Sequence, residues 1–237
     1  MNNESHILSA FDRDLEGIQA LIMKMGGLVE TATLSAAEAL EMRDTELAEK
    51  VRSGDRAVDE LEERVDHEAA RLIALRSPTA SDLRTVLAVM KTAGSLERMG
   101  DYAKNIAKRT TLLIDLPQIE GASGTVRRMA VAVEKMLRDA LDAFIARDLA
   151  LAENVRARDH EIDQIYNTLF RALLTHMMED PRNITACMHL HFVAKNLERM
   201  GDHTTTIAEQ VIYLITGQMP EEPRAKGDRS SVASLEG

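Results

Sequence analysis

Cysteine occurs once in the 237 residues, at Cys187, so no internal disulfide can form and nothing points to an oxidising compartment. Tryptophan is absent and aromatics make up 3% of the chain, while Ala, Leu, Met, Glu and Arg abound, a mix that favours helix over strand. Proline appears at only five places (78, 117, 181, 220 and 223), which leaves long stretches free to be helical. No run approaches the ~18 consecutive apolar residues of a membrane span. The opening Met1-Asn2-Asn3-Glu4-Ser5-His6 lacks the basic segment and apolar run of a signal peptide. A cytoplasmic protein is expected. Positive charge is also short: 29 Lys and Arg face 39 Asp and Glu, a net charge of −10, so non-specific nucleic-acid binding has no electrostatic basis.

Several chemical signatures are missing too. There is no Gly-x-x-x-x-Gly-Lys-Ser/Thr loop and no Gly-x-Gly-x-x-Gly turn. No Glu is followed three residues later by His, which removes the ligand set of ferritin-like di-iron bundles. No Ser or Cys nucleophile sits in a recognisable motif, and an enzyme is not expected.

What is present is a repetition. Leu96-Glu97-Arg98-Met99-Gly100-Asp101 returns unchanged as Leu197-Glu198-Arg199-Met200-Gly201-Asp202, 101 residues later. Residues 43–56 and 147–160, at an offset of 104, share eight of fourteen positions. Helical spacing of Leu15, Ile18, Ile22, Met25 and Val29 predicts a helix over residues 5–43. A second is expected over 46–76, ended by Ser77-Pro78, and a third from an N-cap at Ser81 to Leu113. The second half replays this order, with a shorter turn at Asp180-Pro181. The fold class read from the sequence is therefore all-α, a tandem duplication of two antiparallel three-helix bundles. The first is expected at residues 5–116 and the second at 122–217, after a linker at 121–124. A disordered tail is expected over 218–237.

The duplication sorts candidate residues without any other sequence. Helix two carries Asp55 and Asp59, kept as Asp159 and Asp163; helix three carries Glu97 and Asp101, kept as Glu198 and Asp202. Each pair is four residues apart and so lies on one helix face, one turn above the other. The acids Glu62 and Asp66 become Tyr166 and Phe170 in the second half and read as solvated surface. Each pair lies about 20 residues from the turn joining its helices, roughly 30 Å at 1.5 Å per residue, so the pairs are level. Glu97 and Asp101 continue the sector of helix three that Leu83, Leu87 and Met90 occupy, and are expected to face or flank the helix-two pair. Four carboxylates at one height repel unless a cation sits among them. Oxygen-only ligands suit Mg, Ca, Mn or iron, with zinc also admitted. Arg98, Arg199, Lys195 and Arg56 are the charges that would otherwise balance them. Gly100 and Gly201 sit in helix interiors, where Gly costs ~1 kcal/mol against Ala; close approach of another helix or of ligands would justify it. His189, His191 and His203 are not duplicated and weigh little as ligands, and Cys187 falls on an apolar face.

These residues resemble the PhoU family of phosphate-uptake regulators over about residues 5–217. The most specific parts are residues 97–107 (ERMGDYAKNIA) and 198–209 (ERMGDHTTTIAE). The resemblance implies a cytoplasmic negative regulator of phosphate uptake and of the phosphate-starvation response. It would couple the ATPase subunit of a phosphate ABC transporter to a sensor histidine kinase, meet the membrane only through those partners, and form a homodimer. It also implies iron or zinc clusters, with Mn or Mg as alternatives, on Asp55, Asp59, Glu97 and Asp101 and on Asp159, Asp163, Glu198 and Asp202. Asn105 follows Asp101 at the next i+4 position, where the second half has Thr206, so the two sites are expected to differ. The competing function is a metal-dependent phosphatase or hydrolase using the same carboxylates.

Overall fold

The computed structural model describes residues 2–220, with side chains from residue 10 onward. Seven α-helices follow in order: α1 (Asn2–Met42), α2 (Thr45–Gly54), α3 (Arg56–Arg76), α4 (Ala80–Leu113), α5 (Ala122–Ala146), α6 (Leu149–Glu179) and α7 (Ile184–Thr216). No strand occurs among the described residues, and no helix is long and apolar enough to cross a membrane. The expected second helix of the first half is interrupted. The helical ladder lapses at Asp55, just after Gly54, while Asp55 itself keeps helical angles (φ −55°, ψ −40°). Arg158 stands in place of Gly54 in α6, which runs unbroken. The third helix starts one residue before Ser81, with Thr79 at its N-cap, and Gly121 supplies a left-handed start (φ 72°) to α5 in place of a longer linker.

The stretch shared by residues 43–56 and 147–160 has a local cause. Arg43 and Arg147 close α1 and α5 in left-handed conformation (φ 54° and 52°), and the following aspartates cap the next helix. Asp44 accepts from the backbone N–H of Glu46 and Leu47 at 2.9 Å each, and Asp148 from Leu151 at 3.0 Å. Arg43 also donates to the orphan carbonyls ending α4, those of Leu113 (2.8 Å), Ile114 and Leu116 (3.1 Å). The Arg-Asp pair is thus a turn that reverses the chain at the same point of each repeat. Replacing Asp44 or Asp148 with Ala is expected to cost about 1 kcal/mol each. Being far apart in sequence and in different bundles, the two losses should add. Thermal unfolding of the double variant checks this; a melting point equal to that of the wild type would show that the caps do not matter.

In each repeat the outer rod (α2 with α3, or α6) runs antiparallel to two long helices, and those long helices form the centre. Across the repeats, α4 lies antiparallel to α7: Arg84 reaches the Tyr213 ring, Met99 meets Thr204, and Arg109 meets His189. The α1–α5 pair runs the same way, with Gly26 under Leu141 and Arg127 on Glu41 at 2.9 Å. A pseudo-twofold axis relates the halves. Tyr102 and His203, equivalent residues of the two repeats, meet near it with ring centroids 5.8 Å apart. The apolar residues form one continuous core shared by both repeats, with Ile22, Met25, Leu96, Met99, Met129 and Leu137 fully buried. Gly26 makes room for this packing: a Cβ there would fall 2.2 Å from Leu141 Cδ1, so the leucine would have to turn away. Cys187 is buried in the core, and burial pushes its thiol up. Residues 218–220 turn back on α7, Gln218 bonding Thr216 at 3.0 and 3.2 Å. The remainder of the expected tail, 221–237, lies outside the described residues.

Candidate functional site: two acid clusters at mid-height

The repeated carboxylates occupy the seams between α2/α3 and α4 and between α6 and α7. The glycines explain how they get there. A Cβ on Gly100 would lie 3.2 Å from Asp55 Oδ1 and 3.5 Å from Val58; one on Gly201 would lie 3.2 Å from Asp159 Oδ1 and 3.5 Å from Ile162. Each glycine is a notch into which the facing helix lays an aspartate. That makes Asp55 and Asp159 nearly buried, at 6% and 5% exposure, along with Asp163 and Glu198 at 5% each. The helix-three acids flank the helix-two pair: Asp101 shares the Lys104 ammonium with Asp55, and Glu97 feels the charge of Asp59.

In the first cluster the cation present is Lys104. Its ammonium lies 2.5 Å from Asp55 Oδ2 and 3.4 Å from Asp101 Oδ1, so carboxylates from two different helices converge on one positive atom. Its own proton affinity is raised, first by the bond to Asp55. Asp59 is held above the usual carboxylate range by burial, then by the negative charge of Asp55, with Asp101 adding to it. Glu97 is raised by burial, then by Asp101, and also by Asp59 and Glu62. All four expected residues therefore share one field. Glu62, set aside as surface when read from sequence, belongs to it as well, its own carboxyl raised by burial and by Asp66.

The second cluster is built from the same parts with a different counter-charge. Lys195 donates to Glu198 at 2.9 Å and lies 5.1 Å from the centre of the Tyr166 ring, the residue in place of Glu62. Burial raises Glu198, the Lys195 bond lowers it, and Asp202 and Asp163 raise it further. Of the other balancing charges named from sequence, Arg98 reaches Glu97 at 3.6 Å, Arg56 pairs instead with Glu60 at 2.8 Å, and Arg199 lies 6.0 Å from the Tyr102 ring. Lys104 escaped sequence reasoning because its equivalent is Thr205, and the equivalent of Lys195 is Gly94. The histidines have other partners: His189 meets Arg109 at 3.1 Å, and His191 packs against Phe170 and Phe192.

Beside Asp55 there is a cleft of about 200 Å³ whose wall includes Ala32, Ser35 and Gly54. Met136, Asp139 and Arg158 stand at those positions in the second repeat, and Arg158 bonds Asp139 at 2.5 Å. The two clusters therefore differ in surroundings as well as in lysine placement.

The donor set is all oxygen and suits a hard or borderline cation. Two buried oxygens, Asp55 Oδ1 and Glu198 Oε2, have no hydrogen-bond partner, one in each cluster. Among the described residues no three His, Cys, Asp or Glu side chains close on one point, and in the first cluster Lys104 takes the position between two carboxylates. Lys104, 43% exposed at its side chain, is free to swing out. The residues fit a metal provided that the ammonium is displaced.

The all-α tandem of three-helix bundles is a fold shared with known proteins. The PhoU domain matches residues 22–110 and 126–211. The chain is 50% identical over 222 residues to a phosphate-specific transport system accessory protein PhoU homolog of Zymomonas mobilis, covering 93% of each chain. It is 43% identical to that of Rhizobium meliloti, covering 97% of each. Among solved structures, PhoU from Pseudomonas aeruginosa superposes with a TM-score of 0.84 at 39% identity, covering 88% of this chain and all of that one. The regulatory PhoU of Streptococcus pneumoniae gives 0.82 at 31% identity, covering 90% and 100%. The chain belongs to the PhoU family.

Proposed function

We propose that this protein is a cytoplasmic negative regulator of phosphate uptake and of the phosphate-starvation response. It acts through contacts with the ATPase subunit of a phosphate ABC transporter and with a sensor histidine kinase, and it functions as a homodimer. Relatives of high identity over almost the whole chain carry the name of phosphate transport accessory proteins, which supports the transport side of this reading. Metal binding is part of the proposal, with iron or zinc preferred and Mn or Mg as alternatives. Asp55, Asp59, Glu97 and Asp101 would hold it in the first repeat, and Asp159, Asp163, Glu198 and Asp202 in the second. Bound metal would supply the positive charge that these seams lack. The single observation behind this is the Lys104 ammonium, a stand-in cation shared by Asp55 and Asp101 across two helices.

Purified protein loaded with iron, zinc or manganese and then desalted should retain metal, and Asp101→Asn/Asp202→Asn should retain at least about tenfold less, the range seen for loss of such contacts. Equal retention by the double variant would end the metal assignment. For the regulatory role, deletion should leave starvation genes expressed in high phosphate; normal repression in the deletion strain would end that reading. The phosphatase alternative finds less support. The cationic groups at the two clusters, Lys104 and Lys195, occupy different positions and do not form a duplicated clamp for a substrate.

A further inference from the structure

A groove of about 250 Å³ runs between α1 and α3, away from the carboxylates of the seams, and three arginines line it: Arg13, Arg64 and Arg71. Guanidinium groups around one cavity repel each other unless anions neutralise them. Two acids also line it, but both are already engaged. Asp14 is held by Arg76 at 3.0 Å, and Glu68 pairs with Arg71 at 3.4 Å. Arg13 and Arg64 form no ion pair among the described residues. Four cations against two carboxylates leave a local excess of positive charge in a chain whose net charge is −10.

The second repeat supplies a control. A groove of about 170 Å³ occupies the same place between α5 and α6, lined by Gly121, Ala122, Thr125, Thr168, Ala172 and His176. These stand 104 residues after Gly17, Ile18, Leu21, Arg64, Glu68 and Leu72, all of which line the first groove. The cavity is thus a consequence of the bundle geometry, and the arginines are an addition to one copy only.

Their spacing describes the occupant. The Arg76–Asp14 pair sets the register of the antiparallel helices and puts Arg13 level with residue 77. At 1.5 Å per residue the arginines follow one another along the groove at intervals of roughly 10 Å. A single small oxyanion meets fewer of them than a chain of phosphates does: a triphosphate can reach two neighbouring arginines, and guanidinium forks match phosphate oxygens two at a time. Between the arginines the wall carries Leu21, half-buried, and Leu75 at 62% exposure. A bare inorganic polyanion would leave that surface in water. We propose that the first-repeat groove is a binding site for a nucleoside polyphosphate, the phosphates meeting neighbouring arginines and the nucleoside covering Leu21 and Leu75. The site is independent of the metal clusters and of the phosphate-regulatory reading.

Calorimetric titration of the full chain with ATP, tripolyphosphate and orthophosphate tests it, in the presence of chelator so that no divalent ion bridges nucleotide to the carboxylates. ATP should saturate in the micromolar range, tripolyphosphate several-fold more weakly, and orthophosphate not at all below about 1 mM. Arg64→Gln/Arg71→Gln, both at exposed positions, should weaken ATP at least about tenfold without moving the melting point, the scale of losing charge-assisted contacts. Leu75→Ser should weaken ATP but leave tripolyphosphate unchanged. Absence of ATP saturation, or ATP binding equal in the arginine variant, overturns the site. Tripolyphosphate binding as tightly as ATP, with Leu75→Ser silent, overturns the nucleoside assignment.

Discussion

Replacing Gly100 with leucine is expected to destabilise the protein by about 3 kcal/mol or more, the upper range for overpacking a closely fitted contact. For a chain of this size that corresponds to a fall in melting temperature on the order of 6–12 °C. The reason is the notch: the first carbon added already meets Asp55 Oδ1 at 3.2 Å and Val58 at 3.5 Å, so a larger side chain must drive α4 away from α2 and α3. Alanine should come close to neutral, because its better helix propensity (~1 kcal/mol) opposes the tight contact. A double-mutant cycle separates the carboxylate contact from general crowding. In an Asp55→Ala background, Gly100→Leu should cost at least about 1 kcal/mol less than in the wild type. Additive losses would mean that the glycine is there for the backbone and not for the aspartate. Gly201 and Asp159 should behave in the same way, since their geometry matches to the tenth of an ångström.

The second large effect concerns pH and changes sign with metal. Burial and neighbouring carboxylates hold Asp59, Glu97 and Glu198 above their ordinary range. An acid whose folded pKa is raised binds its proton more tightly in the folded state than in the unfolded chain. Its ionised form therefore penalises the fold at neutral and alkaline pH, and the penalty is relieved as pH falls through the raised pKa towards the ordinary value near ~4. Metal-free Asp59→Asn/Glu97→Gln should melt several degrees above wild type at about pH 8, with the gain shrinking as the solution is acidified. Adding iron, zinc or manganese should reverse the order, because a ligand that binds only the folded state stabilises it by mass action. A variant that melts below wild type without metal at about pH 8 would mean that the lysines already neutralise the cluster.

Much of this was legible in the chain because duplication repeats what the fold needs. The turn residues Arg43-Asp44 and Arg147-Asp148, the acid pairs and the notch glycines all appear twice, and the structure gives each a physical task. What occurs once was not legible by that route. Lys104 and Lys195 approach their clusters from opposite ends of the Glu-x-x-x-Asp pair, so alignment of the repeats pairs neither with the other; Lys195 is legible only as a nearby balancing charge, and Lys104 not at all. Glu62 was discarded because its equivalent is Tyr166, although it lies within the field of Glu97. The lapse of the helix at Asp55 follows a single glycine, where the propensity cost of ~1 kcal/mol is too small to predict a break from sequence.

The height at which the acids sit has a mechanical consequence. Helix α4 has 34 residues and α7 has 33, each about 50 Å long at 1.5 Å per residue, and the clusters lie near their midpoints. Each seam is therefore a pivot with two lever arms of roughly 25 Å. A change of about 5° in the crossing of the rods at the pivot displaces the helix ends by about 2 Å, a shift on the scale of those that repack helix interfaces. A lysine ammonium and a metal ion differ in size, so exchanging one for the other in a seam would move both tips of the bundle.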